Sequence, residues 1–282
     1  VADWDLPFAL TLGRESTNPR PLAQKQIHNV FASYAVGNIS YSEGINDDVN
    51  KFVWSDQDWN PQIPVVETLR DYGRWFIGYG QADGVAQGLL ALEDNWVGPL
   101  LANEGVEVTL LQWQQMEREA PQSVLNNYRF QMGLLRAYYD AYTKRRLVYE
   151  TELEYRAMDA LREVELTGAL AAAERVEQIL ARAVSEPVAQ DYRRRCDELA
   201  DRLFENIGYQ LTVTRHFAIA QDRGAFIDAI NHPLNDSRWL RIRCAMIREA
   251  KRTVGVNYVV ADAKAKRAIA METNQKHTHV FE

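Results

Sequence analysis

The spacing of apolar residues divides the chain into three parts. Residues 1–62 hold short apolar runs between turn formers. "PFALTL" (7–12) and "AVGNIS" (35–40) have the length and the Gly, Pro and Asn boundaries of strands. Between them "RPLAQKQIHNVFASYA" carries Leu22, Ile27, Val30, Phe31 and Tyr34 at helical spacing, so the segment reads strand, helix, strand.

From Pro64 onward the period changes to 3.6. Pro64 suits a helix start, and Val65, Leu69, Tyr72 and Phe76 fall on one stripe that Gly78 and Gly80 bring to an end. Further helices are predicted over about 81–96, 105–119, 123–160, 165–184 and 187–212. The longest keeps Leu135, Tyr138, Tyr142, Tyr149 and Leu153 in phase, with Arg145 and Arg146 off the beat. Long helices joined by short loops predict a bundle. The last 33 residues change again: "VGVNYVVAD" and "RAIAMET" alternate around "AKAK", which reads as a hairpin.

Composition narrows the possible functions. The chain has 282 residues, 46% apolar and 25% charged, enough to build a sizeable core. A net charge of −7 disfavours nucleic acid, whose phosphates call for a basic face. No apolar run is long enough for a membrane span. Cys196 and Cys244 fit no metal or disulfide pattern, and no His group has metal spacing, so neither metal nor cofactor is expected. Residues 250–282 carry six Lys/Arg against three Asp/Glu, the reverse of the acidic body. The opening "VADWDLPFAL", with no Met and no signal pattern, reads as the interior of a longer protein. A secreted or periplasmic location is expected for that whole.

Candidate chemistry gathers in the first sixty residues, where eight carboxylates face four Lys/Arg and Trp4, Trp54 and Trp59 are interspersed. Aromatic faces stack on pyranose rings and carboxylates accept their hydroxyls. A pair of carboxylates with unequal pKa values cleaves a glycosidic bond. Composition alone favours a solvated acidic loop with core tryptophans; position favours a site. Glu43 follows the "AVGNIS" run and precedes Gly44 and a helical pattern, the placement of a catalytic residue at the end of a barrel strand. Asn46 or Asp47 suits the N-cap of the next helix, which leaves Asp47 and Asp48 either capping or holding a hydroxyl. "LTLGRESTNPRP" (10–21) offers Arg14, Glu15 and Asn18 after an apolar run, and "DWD" (3–5) offers Trp4 and Asp5. "RRR" (193–195) reads as a solvated helix face, and "GYGQADG" (78–84) lacks the strand-to-helix setting of a dinucleotide loop.

Residues 36–96 resemble the α-N-acetylglucosaminidase family of glycoside hydrolases. The matching pieces are Glu43-Gly44-Ile45, Asn46, "DWNPQIP", "RWFIGYG" and "NW". The resemblance implies the end of a (β/α)8 barrel running into a helical C-terminal domain, with Glu43 as a catalytic carboxylate. Ser42 stands where the family has proline, and Asp47-Asp48 departs from its pattern, so it implies a related barrel glycosidase rather than the same substrate. Residues 254–273 resemble a strand pair of the acyl-CoA:6-aminopenicillanate acyltransferase family, without that family's nucleophilic cysteine.

The expected fold is therefore mainly α. Residues 1–62 would be the last strands of a truncated (β/α)8 barrel, 63–249 a helical bundle domain and 250–282 a β-hairpin tail. The expected function is part of a glycoside hydrolase acting on a carbohydrate. Glu43 is catalytic, its partner carboxylate lies upstream, and Trp4, Asp5, Arg14, Glu15, Asn18, Tyr41, Asn46, Asp47, Asp48 and Trp54 bind substrate. A non-catalytic helical interaction domain is the alternative, and a fragment of an N-terminal-nucleophile hydrolase a lesser one.

Overall fold

A computed structural model describes residues 17–41, 44–221, 223–232, 234 and 237–254. The protein is mainly helical, and among the described residues there is no β-strand. Among the described residues, the helices of eleven residues or more are α1 (Pro21–Phe31), α2 (Asp48–Trp59), α3 (Val65–Phe76), α4 (Ala82–Asp94), α5 (Gly105–Glu119), α6 (Tyr128–Arg162), α7 (Ala169–Ser185), α8 (Gln190–Ile207) and α9 (Ser237–Val254). The chain divides into two compact units, Val1–Lys144 with Ala189–His232 and Arg145–Val188 with Pro233–Glu282. Helix α6 gives residues 128–144 to the first and 145–162 to the second.

In the first unit α1 packs on α2, α2 on α3, α3 on α4 and α4 on α5. The predicted stripe of α3 is the side that turns inward: Val65, Leu69 and Tyr72 are buried. Helix α1 begins at Pro21, which has no N–H. The next two amides, of Leu22 and Ala23, donate to Glu93 Oε2 and Oε1 of α4 at 2.7 and 2.9 Å. A buried carboxylate thus satisfies the free N–H groups and the positive end of the α1 dipole.

The α6 stretch from Phe130 to Lys144 is buried on every face, because α6 runs through the middle of this unit. Trp113 of α5 lies against Phe130 with ring centroids 5.6 Å apart, Gln114 donates to the Tyr138 hydroxyl at 3.1 Å, and Tyr138 meets Tyr192 of α8. The polar residues inside the helix are therefore matched individually. Arg136 Nε lies 2.8 Å from Asp140 Oδ1, off the line of a straight hydrogen bond. The Arg136 guanidinium covers the Trp96 ring at 3.9 Å. Asn95 donates to Asp140 at 3.0 Å and accepts from Thr109 at 3.0 Å. Burial pushes the Asp140 carboxyl up and the Arg136 guanidinium down, and each is opposed by the charge of the other.

The second unit is built on the end of α6 with α7 and α9. Ala157, Met158 and Leu161 meet Ala173, Val176 and Leu180 of α7 and Leu240 and Cys244 of α9 in one apolar cluster. Arg241 donates to the Leu180 carbonyl at 2.8 Å, and Arg248 pairs with Glu177.

Two sequence expectations change. Residues 35–40 form no strand: Val36 and Ile39 are fully exposed, and no neighbouring strand is present among the described residues. A strand is stabilised by its ladder partner, so an apolar run alone does not make one. Helix α9 passes through residue 250, the expected start of the tail, and continues to Val254. The 7–12 run and the rest of the predicted hairpin lie outside the described residues.

Candidate functional site

A cleft of about 590 Å³ opens in the first unit. One wall is the segment Gly44, Ile45 and Asn46 that leads into α2, together with Tyr128 at the start of α6. The other is the chain leaving α8, Ile207 to Gln210, with Ile219, Arg223 and Gly224 from a later turn.

Both walls are held by specific features. Gly44 has φ 134° and ψ −153°, a backbone state suited to glycine, at the point where the chain turns into a 3-10 turn (Ile45–Asp47) and then α2. Gly224 has φ 88°, and a Cβ there would stand 3.2 Å from the Gln210 carbonyl, so the second wall closes on itself only with glycine. The turn before it is tied by Arg223 N–H donating to the Ala220 carbonyl at 3.0 Å. Beyond it Ala225, Phe226 and Ile227 are buried, and Ile227 N–H donates to the Leu211 carbonyl at 3.2 Å.

The first wall is anchored by a charge cluster behind it. Asp48 Oδ2 accepts from Arg129 Nε at 2.6 Å and from the Tyr72 hydroxyl at 2.9 Å. The Arg129 guanidinium is sandwiched between Phe76 and Tyr128, 4.4 and 4.5 Å from the ring centres. Burial lowers the Arg129 pKa, but the hydrogen bond and charge of Asp48 outweigh it, and the pKa rises. Burial and then Asp48 push the Tyr72 phenol far above its ordinary range. The cluster ties α2 to the start of α6, with the Tyr72 phenol neutral at neutral pH.

The structure distributes the candidate residues as follows. Asn46 lines the cleft. Asp48 is committed to Arg129 and Tyr72. Asp47 sits at the N-cap of α2 without a side-chain capping hydrogen bond and instead lies 3.5 Å from Lys51. Trp54 meets His28 edge to face at 5.2 Å, and His28 Nε2 is 2.7 Å from Asp58, so this ring belongs to the α1–α2 contact rather than to the cleft lining. Tyr41 is exposed. The Asn18 carbonyl accepts from Asn50 at 2.9 Å, which ties the approach to α1 onto α2. Glu43, Trp4, Asp5, Arg14 and Glu15 lie outside the described residues; Gly44, next to Glu43, is on the cleft rim.

Tyr128, Tyr209, Gln210 and Arg223 were not singled out from the sequence. Tyr209 and Gln210 follow Gly208, where the left-handed end of α8 turns the chain out of the helix. That glycine was the one local signal. The "RRR" arginines engage acids on the helix surface: Arg193 with Asp197, and Arg195 with Glu117 and Glu198. Among the described residues no group of three His, Cys, Asp or Glu side chains assembles as a metal site, and no helix is long and apolar enough to cross a membrane.

No family model matches the chain, and neither a curated protein nor a solved structure matches it.

Proposed function

We propose that this chain forms part of a glycoside hydrolase, with Glu43 as one of its two catalytic carboxylates. The observation that carries the reading is the cleft beside Gly44. Its lining residues include Tyr128 and Tyr209 and the amide residues Asn46 and Gln210, residue types that suit a sugar's apolar face and its hydroxyls. The resemblance of residues 36–96 assigns Glu43 its role. In this reading Glu43 acts together with a second carboxylate. The full protein acts outside the cytoplasm on a glycan.

The test is Glu43→Gln in the full-length protein, assayed on a panel of aryl glycosides. Loss of a catalytic acid or base lowers kcat by about 10²–10⁴-fold while the circular dichroism spectrum stays unchanged. Undiminished turnover of a hydrolysed glycoside would remove Glu43 from the mechanism.

A second reading, a helical interaction domain, has its own support. Val30, Phe31, Tyr34, Val36, Ile39 and Tyr41 are all exposed within twelve residues, an apolar stretch of the kind a partner covers. An E43Q variant whose parent hydrolyses nothing on the panel would favour it.

A further inference from the structure

Arg223 distinguishes the cleft from a site for neutral sugars. Among the described lining residues it is the one charged side chain; the others are apolar, aromatic, amide or glycine. Other arginines of this unit are matched with acids. Arg129 holds Asp48, Arg195 holds Glu117 and Glu198, and Arg215 bridges Asp197 and Asp201 at 2.7 Å each. The Arg223 side chain has no ion pair among the described residues.

The chain around Arg223 is hydrogen-bonded on both sides. The turn from Ala220 to Arg223 closes on its own hydrogen bond, Gln221 donates to the Asp228 carbonyl at 3.1 Å, and Asp228 accepts the Val213 N–H at 2.8 Å. The buried run Ala225–Ile227 fixes the far side of the turn. Arg223 is thus an exposed arginine lining a cleft whose other positions include aromatic and amide residues. A guanidinium pairs with a carboxylate through two parallel N–H···O bonds, which supplies orientation as well as affinity.

We propose that the cleft takes an acidic sugar, a pyranoside bearing a carboxylate, and that Arg223 is the specificity-determining residue that receives the carboxylate. Tyr128 and Tyr209 offer rings to the pyranose face, and Asn46 and Gln210 offer amides to its hydroxyls. The proposal rests on the carbohydrate reading and adds the charge of the sugar to it.

The experiment is calorimetric titration of the 282-residue chain with methyl glucuronide and with methyl glucoside, both anomers of each, without any hydrolysis being required. A charge-assisted pair predicts glucuronide binding about ten- to a hundredfold tighter than glucoside. Arg223→Gln abolishes that preference, with the circular dichroism spectrum and the thermal midpoint reporting that the fold is intact. Arg223→Lys retains part of the preference, because the charge stays and the fork is lost. Equal affinity for the two sugars overturns the proposal and leaves the carbohydrate reading standing. A glucuronide preference that survives R223Q overturns the assignment to Arg223. Binding of neither sugar overturns the proposal, while the carbohydrate reading is decided by the Glu43→Gln assay.

Discussion

Gly133→Ala tests how tightly the middle of the first unit is built. Gly133 is buried within α6 and faces the Trp113 indole. A Cβ there would stand 2.7 Å from Trp113 Cζ3, 2.9 Å from Cζ2 and closer still to Cη2, all shorter than the contacts real Cβ atoms make. The ring has no free direction in which to retreat. Its nitrogen edge lies over Gly88, where a Cβ would itself come within 3.0 Å, its Nε1 donates to the Gly88 carbonyl at 3.3 Å, and Phe130 packs beside it.

Two opposing effects set the sign. Alanine in a helix is favoured over glycine by about 1 kcal/mol, so in an open position this change stabilises. Overpacking a tight core costs about 1–3 kcal/mol, and a boxed, rigid ring places this site at the upper end. The net expectation is a loss of about 2 kcal/mol, or a fall in Tm of about 4–8 °C for a unit of this size. Urea unfolding followed by far-UV circular dichroism measures it. In a Trp113→Phe background the smaller ring leaves room, so the alanine costs less there, and the double-mutant cycle shows a coupling of about 1 kcal/mol or more. A Gly133→Ala protein as stable as the parent, or two substitutions that simply add, would refute the packing argument.

Further outcomes follow from the buried charges and thiols. Asp140→Ala leaves the Arg136 guanidinium buried without its carboxylate and lowers stability by about 3–5 kcal/mol, whereas exchanging both residues for apolar ones of similar volume restores most of it; equal stability of the single variant and its parent by urea titration would contradict the pairing. Cys244 lies in the apolar cluster of the second unit, and burial pushes its thiol up to about 11. Because the folded value is raised above the unfolded one, its contribution to stability is fully present below about pH 8.5 and is lost as pH rises towards 11. At pH 8 such a thiol holds roughly a hundredfold less thiolate than an ordinary cysteine, so a disulfide reagent labels the native protein slowly and the urea-unfolded protein at once. Fast native labelling of Cys244 would count against its burial.

How far the sequence reached varies by element. Helix α5 was predicted over 105–119 and runs Gly105–Glu119, because its period is clear and Pro121 bounds it. Helix α9 lies beyond the helices that the spacing predicts one by one, although Leu240, Cys244 and Ile247 recur at helical spacing. The 35–40 run has the composition of a strand and forms none, since pairing is a property of two segments. The cleft was the least legible feature. Its side chains come from residues 46, 128, 209, 210 and 223, and spacing along a chain carries no record of which loops converge.

By itself the sequence determined that this is a mainly helical protein with a buried stripe on α3 and a start signal at Pro64, because helix periodicity and proline act over a few residues. Only the tertiary structure decided that α6 is buried all round between 130 and 144, that Arg136 and Asp140 face one another inside the core, that Asp48 is held by Arg129 from 81 residues away, and that Arg223 faces a cleft. A charged residue looks the same in a sequence whether it is solvated or buried. Its role is set by whether folding removes water from it and which group then replaces that water.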